Sequence, residues 1–568
     1  MVAVVAGVCL PAAGRAQARY DLAIAATTDV HGRLRGWDYY ANAADPTRSL
    51  AAAATIVDSV RRANPGRTVL LDAGDLLQGN PLLFVAAKLR PTPVHPAMAA
   101  MNVMEYDAAV VGNHEFNYGV PLLRRALSQA SFPFLAANVH VSSGAPIAAP
   151  YVVLTRELPH GAKVRIGVIG ATTPGSMVWD ADNLRSAGVT VSDIIPAVKG
   201  AVAELKKQKA DVIVTVLHSG LNEPATYDTV ATGLPSENVA ARVAKEIPGV
   251  DLVIYGHSHK ELVDSTINGV LLVQPRNWAG SVAVATLTVE RTKDKWHVVS
   301  RRGQSVKVAG HAEDQRVLSA SNGTHKAALE WSNGSVGRTS VAWRSDSARV
   351  YDQPIMDFVA EVMRRAMGAQ LAATASFSLD ASIEPGTITR AMLSRIYPYD
   401  NTLRVVKVTG AQLRAYLEHS ARYYRSLDAS GRVPPDGIID QAIPGFNFDM
   451  LSGADYAIDL TKPVGARITS LAVQGRAVAP ADTFTLALNN YRAGGGGGYT
   501  MLAGAPVVKT MDTDIRQMLI EEVERVTATG KAFDPADYFV NNWRLEPAAA
   551  RSAALAELTK ARLSGAHR

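Results

Sequence analysis

The stretch "AAVVGNHEFNYG", residues 108–119, runs an apolar segment straight into glycine, amide, imidazole and carboxylate. Four small or β-branched apolar residues before a glycine-led polar cluster read as a strand buried on both faces. A core has no use for the groups that follow. Burying Asn113, His114 or Glu115 without a partner costs roughly 1–3 kcal/mol each, so something polar is expected to meet them.

The pattern recurs four more times. "DLAIAATTDVHG" (21–32), "TVLLDAGDLLQGNP" (68–81), "VIVTVLHSG" (212–220) and "DLVIYGHSHK" (251–260) each break off an apolar run in a polar cluster. Helical patterns at 50–63 and 192–208 lie between these runs. Strands alternating with helices, with functional groups on the loops just beyond strand C-termini, are what an open α/β sheet provides. "SVAVATLTVE" (281–290) alternates as antiparallel strands do.

At 568 residues the chain is too long for one hydrophobic core, and two domains are expected. The first spans 19–310; a partly helical, Ser/Asn/Gly-rich linker covers 311–350; a second domain opens with "QPIMDFVAEVMRRAM" and covers 351–545. The tail, 546–568, reads as a helix or as a poorly ordered end. The formal charge of +6 is mild, and no basic run interleaved with aromatics marks a groove for a nucleic-acid polymer. A small anionic substrate is compatible with that balance. An apolar run from Val2 to Ala13 followed by Ala16-Gln17-Ala18 reads as a signal peptide over 1–18, hence export to a bacterial periplasm. The sole cysteine, Cys9, lies inside it, so the mature chain is expected to hold no disulfide and no thiol ligand. No other apolar run reaches the roughly 18 residues that span a bilayer, so no membrane anchor is expected. No obligate protein partner is evident.

The strand ends collect a particular chemistry: Asp29 and His31, Asp75, Asn113 and His114, His218, His257 and His259. Five of the thirteen histidines fall there. Carboxylate, imidazole and amide without thiol is a donor set for Mn, Zn, Co or Fe, and its size suits two divalent ions sharing a carboxylate. His95, His140, His160 and His297 read as ordinary core or surface residues.

The ordered motifs D-x-H, G-D-x-x-x-G, G-N-H-E, H-S-G and G-H-S-H resemble those of the calcineurin-like metallophosphoesterases, and more narrowly the bacterial periplasmic 5′-nucleotidase group. That resemblance implies a four-layer αββα sandwich followed by a C-terminal α/β nucleotide-binding domain. It also implies that Asp29, His31, Asp75 and His259 hold one metal ion, and Asp75, Asn113, His218 and His257 the other. By the same carry-over His114 is catalytic and faces the substrate phosphate and leaving oxygen. Asn117 stands where the group usually has the aspartate that orients this ring.

"YPYDNTLRVVKVTG" (397–410) and "LALNNYRAGGGGGYTML" (486–502) resemble the group's substrate-binding domain, with Tyr399 and Tyr491 mapping to the rings that sandwich the base and Asn401 to a contact on its edge. Two departures narrow the subclass. "TASFSLDASIEPGTIT" (374–389) lacks the phosphate-binding arginines of 5′-nucleotidases, and Gly497 replaces their ribose-binding aspartate. Both resemble the 2′,3′-cyclic-nucleotide 2′-phosphodiesterase/3′-nucleotidases, in which a 2′/3′ phosphate would repel such a carboxylate. Arg492 and Arg404 are candidates for phosphate or ribose contacts. Competing expectations are a 5′-nucleotidase or nucleotide-sugar hydrolase, a thiosulfate-ester hydrolase, and a non-catalytic periplasmic nucleotide-binding protein.

Overall fold

The computed structural model describes residues 18–292, 295–428 and 430–563. The segment read as a signal peptide lies almost wholly outside them. Two six-stranded sheets form the first half. One is ordered Lys295–Lys307, Ser281–Thr292, Arg19–Thr27, Thr68–Asp72, Ala108–Val110, Phe134–Leu135; the other Leu262–Ile267, Val270–Gln274, Leu252–Tyr255, Val212–His218, Lys163–Thr172, Tyr151–Glu157. The central strands run parallel, as does the edge strand Phe134–Leu135, while Ser281–Thr292, Lys295–Lys307, Leu262–Ile267 and Tyr151–Glu157 pair antiparallel.

The continuous apolar runs are explained by what covers each face. Leu22, Ile24, Val69, Leu71 and Val110 meet Val164, Ile166, Val214 and Ile254 between the two sheets. Ala25, Leu70 and Ala109 point the other way, against helices Leu50–Ala63 and Pro96–Val103, while Ile213, Leu217 and Val253 pack on Ile194–Lys207 and Ala240–Glu246. Helix, sheet, sheet, helix is the expected four-layer sandwich. The parallel registers Thr27↔Asp72 and Asp72↔Ala109 bring the C-termini of three strands to one edge. In the other sheet Leu217↔Tyr255 does the same for the histidine loops.

The segment expected as a linker is mostly a built element. Helix Gln315–Asn333, capped by Asp314, contributes Val317 and Ala328 to the first domain's core. Strand Ser335–Thr339 already pairs with Gly386–Thr389 of the second domain, so the crossing narrows to the residues around Gly334. A five-stranded sheet (Asp449–Ser452, Leu371–Ala375, Thr483–Asn489, Thr402–Thr409, Val507–Asp514) and a four-stranded one (Arg476–Ala477, Ile468–Val473, Asp455–Asp459, Trp543–Glu546) build the second domain around helix Pro354–Met367. The tail is helix Ala548–Leu563, with Ala550, Ala554 and Leu558 buried in that core. Among the described residues no helix is long and apolar enough to cross a membrane.

Candidate metal centre

Asp29, His31, Asp75, His257 and His259 are five of the fourteen described non-glycine residues with positive φ, between 46° and 73°. Each follows a strand end within a few residues, and the left-handed turn aims its side chain back over the sheet edge. Such conformations cost an ordinary residue of the order of 1 kcal/mol or more, which the surrounding packing must hold in place. Gly112 is required for a different reason: a Cβ there would lie 2.3 Å from Asp75 Oδ1.

The turned-in groups converge on the buried Asp75 carboxylate. Oδ2 lies 3.0 Å from His218 Nε2, 3.8 Å from His31 Nε2 and 3.9 Å from His114 Nε2. His259 Nε2 is 3.3 Å from Asp29 Oδ1 and 3.2 Å from His31 Nε2. Asn113 Oδ1 is 3.0 Å from His218 Nε2. Asp29–His31–His259, His31–Asp75–His114 and Asp75–His218–His257 each bring their ligand atoms within 4.8 Å of one another. All seven residues expected as ligands are therefore assembled at one place, and His114 stands beside them.

The tautomers make the donor set one for cations. His31 Nδ1 donates to Gln78 O and His218 Nδ1 to Ala73 O, both at 2.8 Å, which leaves each Nε2 lone pair facing oxygens or another ring nitrogen. Acceptors so arranged need positive charge between them. Burial would lower the His218 pKa, but Asp75 outweighs it and lifts the ring to about 10, so with no cation at hand a proton on Nε2 supplies that positive charge. Burial, with His114 alongside, pushes His31 down to about 3 and keeps the ring neutral. Burial also opposes ionisation of Asp75, yet His218 and His114 hold its carboxyl well below the usual range.

Around this centre lie supporting residues, most of them given no role in the sequence analysis. Glu115 is 1% exposed and accepts four backbone N–H groups: Gly112 (2.6 Å) and Asp75 (2.9 Å) on Oε2, Leu76 (2.6 Å) and Leu77 (3.0 Å) on Oε1. It pins the Asp75 loop to the Asn113–His114 turn. Glu237 Oε1 accepts from His257 Nε2 at 2.8 Å, the carboxylate–histidine pairing that orients metal-binding imidazoles, which leaves Nδ1 available to a cation. Trp179 stacks on the same ring at 5.4 Å. Asn117 accepts from His114 Nδ1 at 2.6 Å and donates Nδ2 to both oxygens of Asp180, at 3.0 and 2.9 Å. Burial lifts Asp180 to about 6, so it remains mostly carboxylate at neutral pH. Glu237 and Asp180 sit in loops with no motif to mark them, whereas the shared position of Glu115 beside His114 was visible without its purpose.

The second domain reaches the first beside this centre. Tyr399 is 40% exposed and set edge-on to Phe377 at 5.0 Å, and the half-buried Asn401 follows it. Between them Asp400 crosses to the first domain, accepting from Tyr118 (2.6 Å) and from Gln78 Nε2 (2.9 Å), and pairs with Arg516. Tyr491 packs on Trp179 at 6.2 Å. Tyr491 thus adjoins the ring stacked on His257, and Asp400, next to Tyr399, reaches Gln78 behind His31. Arg492 corrects an expectation. It is buried, and its five N–H groups go to Asp449 Oδ2 and Oδ1, Gly496 O, Asn447 Oδ1 and Phe446 O, leaving none for a phosphate. Gly497 has φ +76° and an added Cβ would meet Arg492 Nη1 at 2.1 Å, so this loop has no room for the aspartate. Arg404 pairs through one guanidinium nitrogen with Asp182 of the first domain.

Residues 22–261 match the family model described as calcineurin-like phosphoesterase, and residues 335–504 match that of the 5′-nucleotidase C-terminal domain. Over 93% of its length the chain is 31% identical to the 2′,3′-cyclic-nucleotide 2′-phosphodiesterase/3′-nucleotidase of Salmonella typhimurium, covering 89% of that protein. It is 30% identical to the trifunctional nucleotide phosphoesterase protein YfkN of Bacillus subtilis, again over 93% of this chain but spanning only 39% of that protein's length. A 5′-nucleotidase precursor from Thermus thermophilus shares the fold, with TM-score 0.64 and 22% identity over 93% of this chain and 100% of that one.

Proposed function

Because the chain belongs to the calcineurin-like phosphoesterases, in the family of 2′,3′-cyclic-nucleotide 2′-phosphodiesterase/3′-nucleotidases, we propose that it opens 2′,3′-cyclic nucleotides to 3′-nucleotides and hydrolyses these to nucleoside and phosphate. The observation that carries the reading is the convergence of His31, His114 and His218 on the single buried carboxylate of Asp75. Asp29, His31, Asp75 and His259 would hold one divalent ion; Asp75, Asn113, His218 and His257 would hold the second. Bound ions of this kind neutralise phosphate oxygens and make hydroxide available near neutral pH.

His114 keeps Nδ1 on Asn117 and turns Nε2 toward the centre, where it meets the charge that develops on the leaving sugar oxygen and can protonate it. Tyr399 and Tyr491 stack the base, a contact any base can make, and Asn401 touches its edge. The crowding of Gly497 by Arg492 supports selectivity for the 2′/3′ phosphate, since no carboxylate there competes for those ribose oxygens. Export to the periplasm belongs to the same reading and rests on the apolar run Val2–Ala13.

A substrate panel tests the reaction. With metal and pH held constant, 2′,3′-cyclic AMP and 3′-AMP should turn over at least tenfold faster than 5′-AMP or a nucleotide sugar. A preference for either of the latter would overturn the subclass.

A further inference from the structure

We infer that Asp180 is a positioning residue that fixes the orientation of His114 through Asn117. The inference deepens the reading of His114 above and rests on it. A carboxylate can only accept, and both Asp180 oxygens face Asn117 Nδ2, at 3.0 and 2.9 Å. Turning the amide over would set its oxygen against two others. The Asn117 carbonyl therefore has to face His114, and at 2.6 Å it requires the proton on Nδ1. That leaves Nε2 toward the centre, 3.9 Å from Asp75 Oδ2. An asparagine alone could present either end to the ring. Asp180 removes the choice.

The surroundings hold Asp180 to this task. It stands at the N-cap of helix Ala181–Ser186 yet makes no capping hydrogen bond to the helix backbone; besides Asn117, the Asn183 side chain of that helix supports its charge. Its own N–H goes to Ser176 O at 2.9 Å. On one side the Trp179 carbonyl accepts from Asn490 Nδ2 at 3.1 Å, and on the other Asp182 pairs with Arg404, so the second domain grips both neighbours. Asn183 Nδ2 donates to Phe116 O at 2.9 Å and ties the same helix to the His114 turn.

The test exchanges the two side chains. Asp180→Asn should lower kcat by about 10–100-fold while KM and metal content stay near wild type, because ring orientation and not binding is lost. The double variant Asn117→Asp/Asp180→Asn places a carboxylate directly on Nδ1 with an amide behind it, and should return kcat to within about fivefold of wild type. Proton NMR of the metal-free protein gives a readout independent of turnover. A slowly exchanging His114 Nδ1–H resonance, assigned by its loss in His114→Gln, should vanish in Asp180→Asn and reappear in the double variant. Wild-type kcat with an intact resonance in Asp180→Asn, or a double variant no better than the single one, would overturn the inference. Should Asp180→Asn not fold, the resonance in the double variant decides alone: present it supports the relay, absent it contradicts it. A wild-type protein inactive on every nucleotide would fail the proposed function, while the NMR comparison still judges Asp180.

Discussion

Glu115 explains why a carboxylate follows the histidine in the 108–119 stretch. Its four N–H acceptances close the two loops that carry Asp75, Asn113 and His114. Glu115→Gln keeps the shape but turns an NH2 toward backbone donors, and should cost about 2–3 kcal/mol in urea unfolding of the metal-free protein. An unchanged midpoint would contradict the staple. His114 differs from its neighbours in having Nδ1 tied to an amide. His114→Ala is expected to keep its metal ions by elemental analysis while kcat falls by roughly 10²–10⁴. Loss of an ion with normal turnover of the remainder would make His114 a ligand. The residues that gather at the candidate centre were legible in the sequence because each sits in a short motif at a strand end. Glu237 and Asp180 were not, since they act through a second side chain and reach the centre from loops without regular spacing. Arg492 was misread for the converse reason: an arginine beside a glycine loop looks free until Asp449 is folded against it.

The strands and outer helices followed from apolar runs and caps, which are local signals. Helix Gln315–Asn333 was harder, because its Ser, Asn, Gly and Thr composition resembles a connector and only the packed Val317 and Ala328 reveal a core face. Helix Pro354–Met367 carries a titration of its own. Burial, with Asp352 alongside, lifts the Asp357 carboxyl to about 7, above the roughly 3.9 of an unfolded aspartate. The folded chain then holds this proton more tightly than the unfolded one. Its stabilising effect is greatest below about pH 4 and is lost as pH rises through about 7. Between pH 5 and pH 8 the melting temperature of wild type should fall relative to that of Asp357→Asn. Parallel profiles would remove Asp357 from the pH dependence.

At the scale of the molecule, the two domains meet over the metal centre. Asp400 with Gln78 and Tyr118, and Asp182 with Arg404, join them on either side of it. The chain order of the two domains was legible, but their mutual placement was not, because it rests on polar pairs between residues 200 or more positions apart. Tyr491 sits on this seam against Trp179. Tyr491→Ala should lower kcat/KM by about 1–3 kcal/mol, the worth of one stacked base, with metal content unchanged. An equal loss on a substrate without a base would show that the ring supports the fold instead.

Asp75 is the carboxylate on which the two proposed cation sites join. The most direct measurement is elemental analysis of the purified chain alongside turnover of 3′-AMP, during chelation and stepwise return of a single metal such as Mn²⁺. Two ions per chain are predicted, with activity lost on chelation and restored only as the second site fills, and with Asp75→Asn binding neither ion tightly. Full hydrolysis by protein shown to be metal-free, or by Asp75→Asn, would contradict it.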